Sequence, residues 1–230
     1  MSRVISSDIL VVGGGLAGIV TALEGLRAGK SVTLVDRDTE ERFGGLALWA
    51  FGGMCLIDTP LQHKMKIEDS PELALQDWIR FGELSPHDEL PLQWARYYVE
   101  NCRTEVYDWL SDEGISFLPA VNWVERGRFG DGNRVPRYHV IWGTSRYLVR
   151  CLVTALHEAN TDDKLTLLHQ HRVTELLHED GKVTGAHALP ESESETNQEP
   201  VQLNAESVVL ATGGINGSLE ECRKNWPRDR

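Results

Sequence analysis

No stretch of this sequence reaches the 18 or more consecutive apolar residues of a membrane span, so no spanning helix is expected. Cysteine is sparse. Cys55, Cys102, Cys151 and Cys222 lie far apart without a C-x-x-C spacing, which argues against a zinc site or a disulfide framework. No metal site is expected. Positive charge is short too: 23 Lys and Arg stand against 35 Asp and Glu, a net charge of −12. Non-specific nucleic-acid binding needs Lys and Arg to displace phosphate counterions, so that class is set aside. Residues 1–8 lack the apolar core of a signal peptide, which points to a cytoplasmic protein.

Aromatic residues are missing from the first 42 positions and from 148–225, and all but Trp226 lie between Phe43 and Tyr147. Small and β-branched residues dominate the two flanks, as close-packed parallel strands and crossover helices require. A length of 230 residues suits one large domain or two small ones. The division expected is a nucleotide-binding domain built from 1–42 and 148–230, with an aromatic-rich, mainly helical insertion at 43–147.

Asp8 to Val12 reads as a buried strand, Leu16 to Leu26 as a helix, and Ser31 to Asp36 as a second strand. Gly29 sits where a helix C-terminal cap belongs. In the insertion, Ser70-Pro71 opens one helix with a capping serine and a first-position proline. Pro91 opens another that runs to Leu110. The Arg126 to Arg134 segment reads as a solvated turn. A helix follows from Ser145 to Ala159, then strands at 164–169, 172–178 and 182–189, the last two joined by an Asp180-Gly181 hairpin turn. The polar segment from Glu191 to Pro200 reads as a disordered loop tip. Val201 to Leu203 completes a small antiparallel meander, and Ser207 to Ala211 returns as a buried strand. The fold class is therefore α/β: a Rossmann-like parallel sheet plus a β-meander.

The sharpest motif is Gly13-x-Gly15-x-x-Gly18, placed between a strand and a helix. Gly13 permits a tight turn, Gly15 lets backbone approach a pyrophosphate, and Gly18 allows close helix packing. Leu16 and Ala17 in the first helical turn add free N–H groups and the positive end of the helix dipole. An acidic protein can thus hold an anion without a basic patch. Asp36 closes the second strand where a carboxylate can accept from a ribose hydroxyl, with Arg37 beside it. An exposed strand-end acid is the plainer alternative for Asp36; the spacing decides against it.

An NAD domain continues with another crossover helix and strand. Here the second strand runs instead into Phe43-Gly44-Gly45 and Phe51-Gly52-Gly53, a second glycine-rich segment suited to lie along a longer cofactor. Ala211-Thr212-Gly213-Gly214 ends the last strand in another close-approach turn. FAD fits better than NAD.

These residues also carry a resemblance. Val11-Val-Gly-Gly-Gly-Leu-Ala-Gly18, Gly44-Gly45, Phe51-Gly52-Gly53, Glu72-Leu-Ala-Leu-Gln-Asp-Trp78, Pro136-Arg-Tyr-His139, Ala211-Thr-Gly-Gly214 and Arg223-Lys-Asn-Trp-Pro227 resemble the N-terminal part of the fumarate reductase and succinate dehydrogenase flavoproteins. Within that family the chain is most similar to FAD-binding dehydrogenases related to 3-ketosteroid dehydrogenases. The resemblance implies that Gly13, Gly15 and Gly18 hold the pyrophosphate and Asp36 the adenosine ribose. It places Gly44, Gly45 and Ala47 along the phosphates, and Gly52 and Gly53 near the reactive edge of the flavin. It sets the Val173 backbone against adenine, and brings Ala211, Thr212 and Gly213 close to the cofactor. FAD is expected to be held non-covalently, because among histidines and cysteines only Cys55 lies beside the glycine segments.

Family members continue past the Ala-Thr-Gly-Gly strand into a substrate cap and a returning flavin-binding segment, whereas this sequence stops at Arg230. The resemblance therefore implies the FAD-binding part of an oxidoreductase acting on a C–C bond, with a steroid-like or other enone-forming substrate. The chain would be a fragment, a truncated product or one of two chains, inactive alone and prone to self-association. The alternative is a non-catalytic nucleotide-binding or assembly chain. His139, Tyr138 and Tyr147 are chemically eligible as bases, yet each residue type is more often structural, so no catalytic residue is assigned.

Overall fold

The computed structural model describes residues 3–124, 132–191 and 200–226. The elements in chain order are β1 (Val4–Val12), α1 (Leu16–Arg27), β2 (Val32–Val35), β3 (Gly53–Cys55), α2 (Pro60–Lys64), α3 (Pro71–Phe81), α4 (Glu89–Cys102), α5 (Trp109–Asp112), β4 (Tyr138–Val140), α6 (Thr144–Ala159), β5 (Leu165–Leu168), β6 (His171–Glu179), β7 (Lys182–Pro190), β8 (Val201–Leu210) and α7 (Leu219–Asn225). They form two compact units, Met1–Leu48 with Leu152–Arg230, and Trp49–Cys151.

The first unit is built on a mixed six-stranded sheet in the order β5-β2-β1-β8-β7-β6. β1 pairs in parallel with both β2 and β8, and β2 with β5, while β6, β7 and β8 form an antiparallel meander. Leu10, Val12, Val35, Leu203 and Ala205 are among the buried side chains on this sheet. α1 buries Ile19, Ala22, Leu23 and Leu26 at the spacing of one helical face. The turn between β6 and β7 has positive φ at Asp180 (50°) and Gly181 (76°), as a tight two-residue hairpin requires.

β8 corrects the sequence reading. Val201 to Leu203 and Ser207 to Ala211 are not two strands but one, Val201–Leu210. Its first half pairs with β7 and its whole length with β1, from Val4↔Gln202 to Val12↔Leu210. That partner also draws β1 back to Val4 from the expected Asp8. Val201, Leu203 and Ala205 are buried while Gln202, Asn204 and Glu206 are not, so the polar interruption is one face of an ordinary period-two strand.

The second unit packs α3 and α4 beside a two-stranded ribbon of β3 and β4, with Leu56, Ile57, Ala74, Val99 and Cys102 as its buried cluster. Ser70 accepts a hydrogen bond from the Leu73 N–H (3.2 Å) at the start of α3, with Pro71 in the first position. α4 begins at Glu89 rather than Pro91, since the whole first turn lacks intrahelical acceptors and tolerates proline there. A π-helical turn, Arg103–Asp108, links it to α5. Most of the Arg126 to Arg134 turn and of the loop between Glu191 and Pro200 lies outside the described residues, as does Pro227.

Candidate functional site

The parallel strands end in register: Val12 lies opposite both Val35 and Leu210, and Val35 opposite Leu168. Gly13, Asp36 and Ala211 are therefore presented together at the carboxyl edge, where β1 sits between β2, reached through α1, and β8, reached through the antiparallel meander on the other side. Open α/β sheets bind ligands at such switch points.

The glycines there have different reasons. Gly13 has φ +108°, and a Cβ on it would lie 2.4 Å from the Ala211 carbonyl oxygen. A Cβ on Gly18 would lie 1.8 Å from the Gly13 carbonyl oxygen, so α1 rests directly on the turn. Gly14, to which the spacing gave no role, is covered by the Phe43 ring, 2.6 Å from where its Cβ would be. Phe43 in turn meets His169 edge-on, with ring centroids 5.1 Å apart. Gly15 is the exception. Among the described residues, chain neighbours aside, nothing lies within 4 Å of its missing Cβ. It caps α1 without a side-chain hydrogen bond, and the first turn, including Leu16 and Ala17, carries no acid. With neither a side-chain cap nor an acid in its first turn, the positive end of the α1 dipole is left uncompensated there, which fits a phosphate group.

The second glycine segment docks on the first. Gly44 donates its N–H to the Gly14 carbonyl (2.8 Å) and bridges to Gly15, with positive φ at Gly44 (117°) and Gly45 (57°). Ala47 follows in the short 3-10 turn Gly45–Trp49. One Asp36 oxygen accepts the Gly14 N–H and the other the Asp38 N–H (2.8 Å). A carboxylate has about four acceptor positions, so roughly two stay available for ribose hydroxyls. Gly13, Asp36, Arg37, Val173 and Thr212 line one cavity of about 340 Å³. His171 and Arg172 also line it and were missed. The period-two pattern of β6, which sets His171 on the same strand face as Val173, was the available signal. Glu191 pairs with Arg37 (3.0 Å) and Arg172 (3.7 Å). Ala211 donates its N–H to the Val12 carbonyl (2.8 Å), and Gly213 has φ +74°.

Asp36 thus braces the loop as well as offering acceptors. Asp36→Ala is expected to weaken FAD binding by one or two hydrogen bonds of about 1.5–3 kcal/mol each. It should also lower the melting temperature without FAD, because the Gly14 N–H loses its acceptor. Flavin titration and a thermal melt check both; an unchanged melt would show the brace to be idle.

Gly52 and Gly53 belong to the second unit, which explains them by its own packing. Gly52 has φ +86°, and its Cβ would meet the Ser145 nitrogen at 2.7 Å. At Gly53 any Cβ would overlap the Tyr138 ring. Tyr138 is thereby committed to packing. His139 is fully buried, with Nδ1 2.7 Å from the Arg137 carbonyl and Nε2 2.7 Å from the Thr59 hydroxyl. A carbonyl can only accept, so Nδ1 carries the proton and Nε2 accepts from Thr59. Burial pushes the His139 pKa down, which keeps it neutral. Tyr147 is 42% exposed. Among the described residues no group of three or more His, Cys, Asp or Glu could hold a metal ion, and no helix is long and apolar enough to cross a membrane.

An uncapped helix start at the carboxyl edge of a parallel sheet, beside a strand-end carboxylate, defines a dinucleotide-binding α/β domain. The chain belongs to the FAD binding domain family, whose model matches residues 8–229. It is 38% identical over 237 residues to a KsdD-like steroid dehydrogenase of Mycolicibacterium smegmatis, covering 96% of this chain and 42% of that protein. Among solved structures it is similar to 3-ketosteroid-Δ4-(5α)-dehydrogenase from Rhodococcus jostii in complex with 4-androstene-3,17-dione. That match has a TM-score of 0.76 and 25% identity, over 97% of this chain and 49% of the other. It is also similar to the open conformation of a flavocytochrome c3 fumarate reductase, with a TM-score of 0.70 and 27% identity, over 91% of this chain and 34% of the other. The chain spans less than half the length of each of these relatives.

Proposed function

We propose that these 230 residues are the FAD-holding part of a dehydrogenase that moves a hydride between a ring C–C bond and flavin, with a steroid-like substrate. The observation that carries this reading is the unfilled space at Gly15, at the start of a helix with neither a side-chain cap nor an acid in its first turn, beside Asp36. The similarity to steroid dehydrogenases supports the substrate class. Bound FAD would supply the hydride acceptor. The chain's own residues bind and orient it. The start of α1 at Gly15, Leu16 and Ala17 receives the pyrophosphate, Gly44, Gly45 and Ala47 run along it, and Asp36 accepts from the ribose. Arg37, Val173 and Thr212 border the adenosine end, and Ala211 and Gly213 shape the turn. This cradle of backbone groups and one carboxylate supports non-covalent binding.

In the second unit Trp49, Phe51 and Trp142 are 70%, 64% and 61% exposed, apolar surface of the kind that further polypeptide or a second copy covers. Catalysis needs the substrate within about 3–3.5 Å of the reacting atom with water excluded. The 230 residues reconstituted with FAD are therefore expected to release all flavin on denaturation. They are also expected to show no turnover of steroid enones or fumarate with an artificial electron acceptor. Flavin left on the chain would overturn non-covalent binding; absence of any flavin binding would overturn the function itself.

A further inference from the structure

The second unit contains a cavity lined by none of the residues assigned to FAD. Its volume is about 260 Å³. Trp78 and Phe81 of α3 and Tyr98 and Val99 of α4 form the walls, Ala74 leaves room between them, and Arg137 reaches it from the segment before β4. Trp78 and Tyr98 meet edge-to-face at 5.6 Å. Trp78 and Phe81 are 42% and 46% exposed, so a ligand has a way in. An apolar cavity of about 150 Å³ already holds benzene. This one is large enough for two fused rings.

The polar side of the cavity is specific. The Tyr98 hydroxyl is committed to the Cys55 carbonyl (2.8 Å). Arg137 is 4% exposed and donates from Nε and Nη2 to Asp69 and from Nη1 to Asp77, each at 2.8 Å. A guanidinium has five N–H groups. One on Nη1 and one on Nη2 therefore have no partner among the described residues, and an unpaired buried donor favours any acceptor that can reach it. The ligand's charge follows from the neighbours. Two carboxylates already neutralise Arg137, so an anion would meet repulsion from Asp69 and Asp77 while an uncharged oxygen would not.

We propose that this cavity binds a neutral one- or two-ring compound bearing a single carbonyl oxygen, with the rings among Trp78, Phe81 and Tyr98 and the oxygen accepting from Arg137. The site is independent of FAD, and its failure would leave flavin titration unchanged. The test titrates 1-indanone into the 230-residue chain, followed by ¹H–¹⁵N spectra. Saturable shifts are expected at the Trp78 indole and the Arg137 side-chain N–H groups. Indane, which has no oxygen, should bind several-fold more weakly. Ala74→Leu fills the space and should weaken 1-indanone at least tenfold with the fold retained. If that variant does not fold, the half-exposed wall variant Trp78→Leu should give the same loss. Absence of saturable shifts, equal affinity for indane, or full affinity in a folded variant would each overturn the proposal.

Discussion

Gly15→Val is expected to abolish FAD binding while leaving the protein folded. The Gly15 backbone is extended, with φ −77° and ψ −176°, which any residue adopts. Among the described residues, chain neighbours aside, nothing lies within 4 Å of the added Cβ. Valine would therefore sit unopposed at the mouth of α1, where the pyrophosphate approaches, and hold the phosphate away from the N–H groups. A loss of more than about a hundredfold in affinity, near 2.7 kcal/mol, is the expected result. Gly18→Val makes the control, because its Cβ would lie 1.8 Å from the Gly13 carbonyl oxygen and must disturb the turn itself. The two variants separate a glycine kept for the ligand from one kept for the fold. Flavin titration with circular dichroism of the same samples reads both effects. Normal FAD binding by Gly15→Val would place the pyrophosphate elsewhere.

The sequence carried the glycine loop and Asp36 because their geometry is local: a strand, a turn and a helix follow one another within a few residues. The Asp180-Gly181 turn and the Ser70-Pro71 helix start were legible for the same reason. What escaped depends on partners far along the chain. Gly14 must be small because of Phe43, and Gly53 because of Tyr138, 85 positions later in the numbering. β8 was split in two because a strand between two partners can show polar residues on one face without interruption. His171 and Arg172 received no role from the sequence, although the period-two pattern of β6 put His171 on the Val173 face; that this strand borders the cavity at all follows from the tertiary fold.

The ion cluster of the second unit escaped for that reason too, and it predicts the largest loss of stability. Asp77 is fully buried and receives hydrogen bonds from the Arg137 Nη1 (2.8 Å), the Arg134 Nε (2.6 Å), the Arg134 N–H (3.0 Å) and the Arg80 Nη2 (2.9 Å). Asp69 holds the other side of Arg137. Removing one partner of a buried pair leaves the other charge uncompensated in a poor solvent, so Asp77→Ala should cost about 3–5 kcal/mol. The exposed Arg96–Glu100 pair, 3.8 Å apart, is the comparison, and its loss should cost less than about 1 kcal/mol. Every tryptophan except Trp226 lies in this unit, so denaturant titration followed by indole fluorescence reports it. Burial pushes the Asp77 pKa up, but the hydrogen bonds from Arg134 and Arg137 outweigh it and hold the carboxyl below its ordinary 3.8. A depressed folded-state pKa gives stability that is present above the unfolded value and lost as pH falls through the folded one. The unit should therefore lose stability progressively as the pH drops below about 4, and Asp77→Ala should remove part of that dependence. A cost below about 1 kcal/mol, or an unchanged acid profile, would mean that this cluster does not lock the unit.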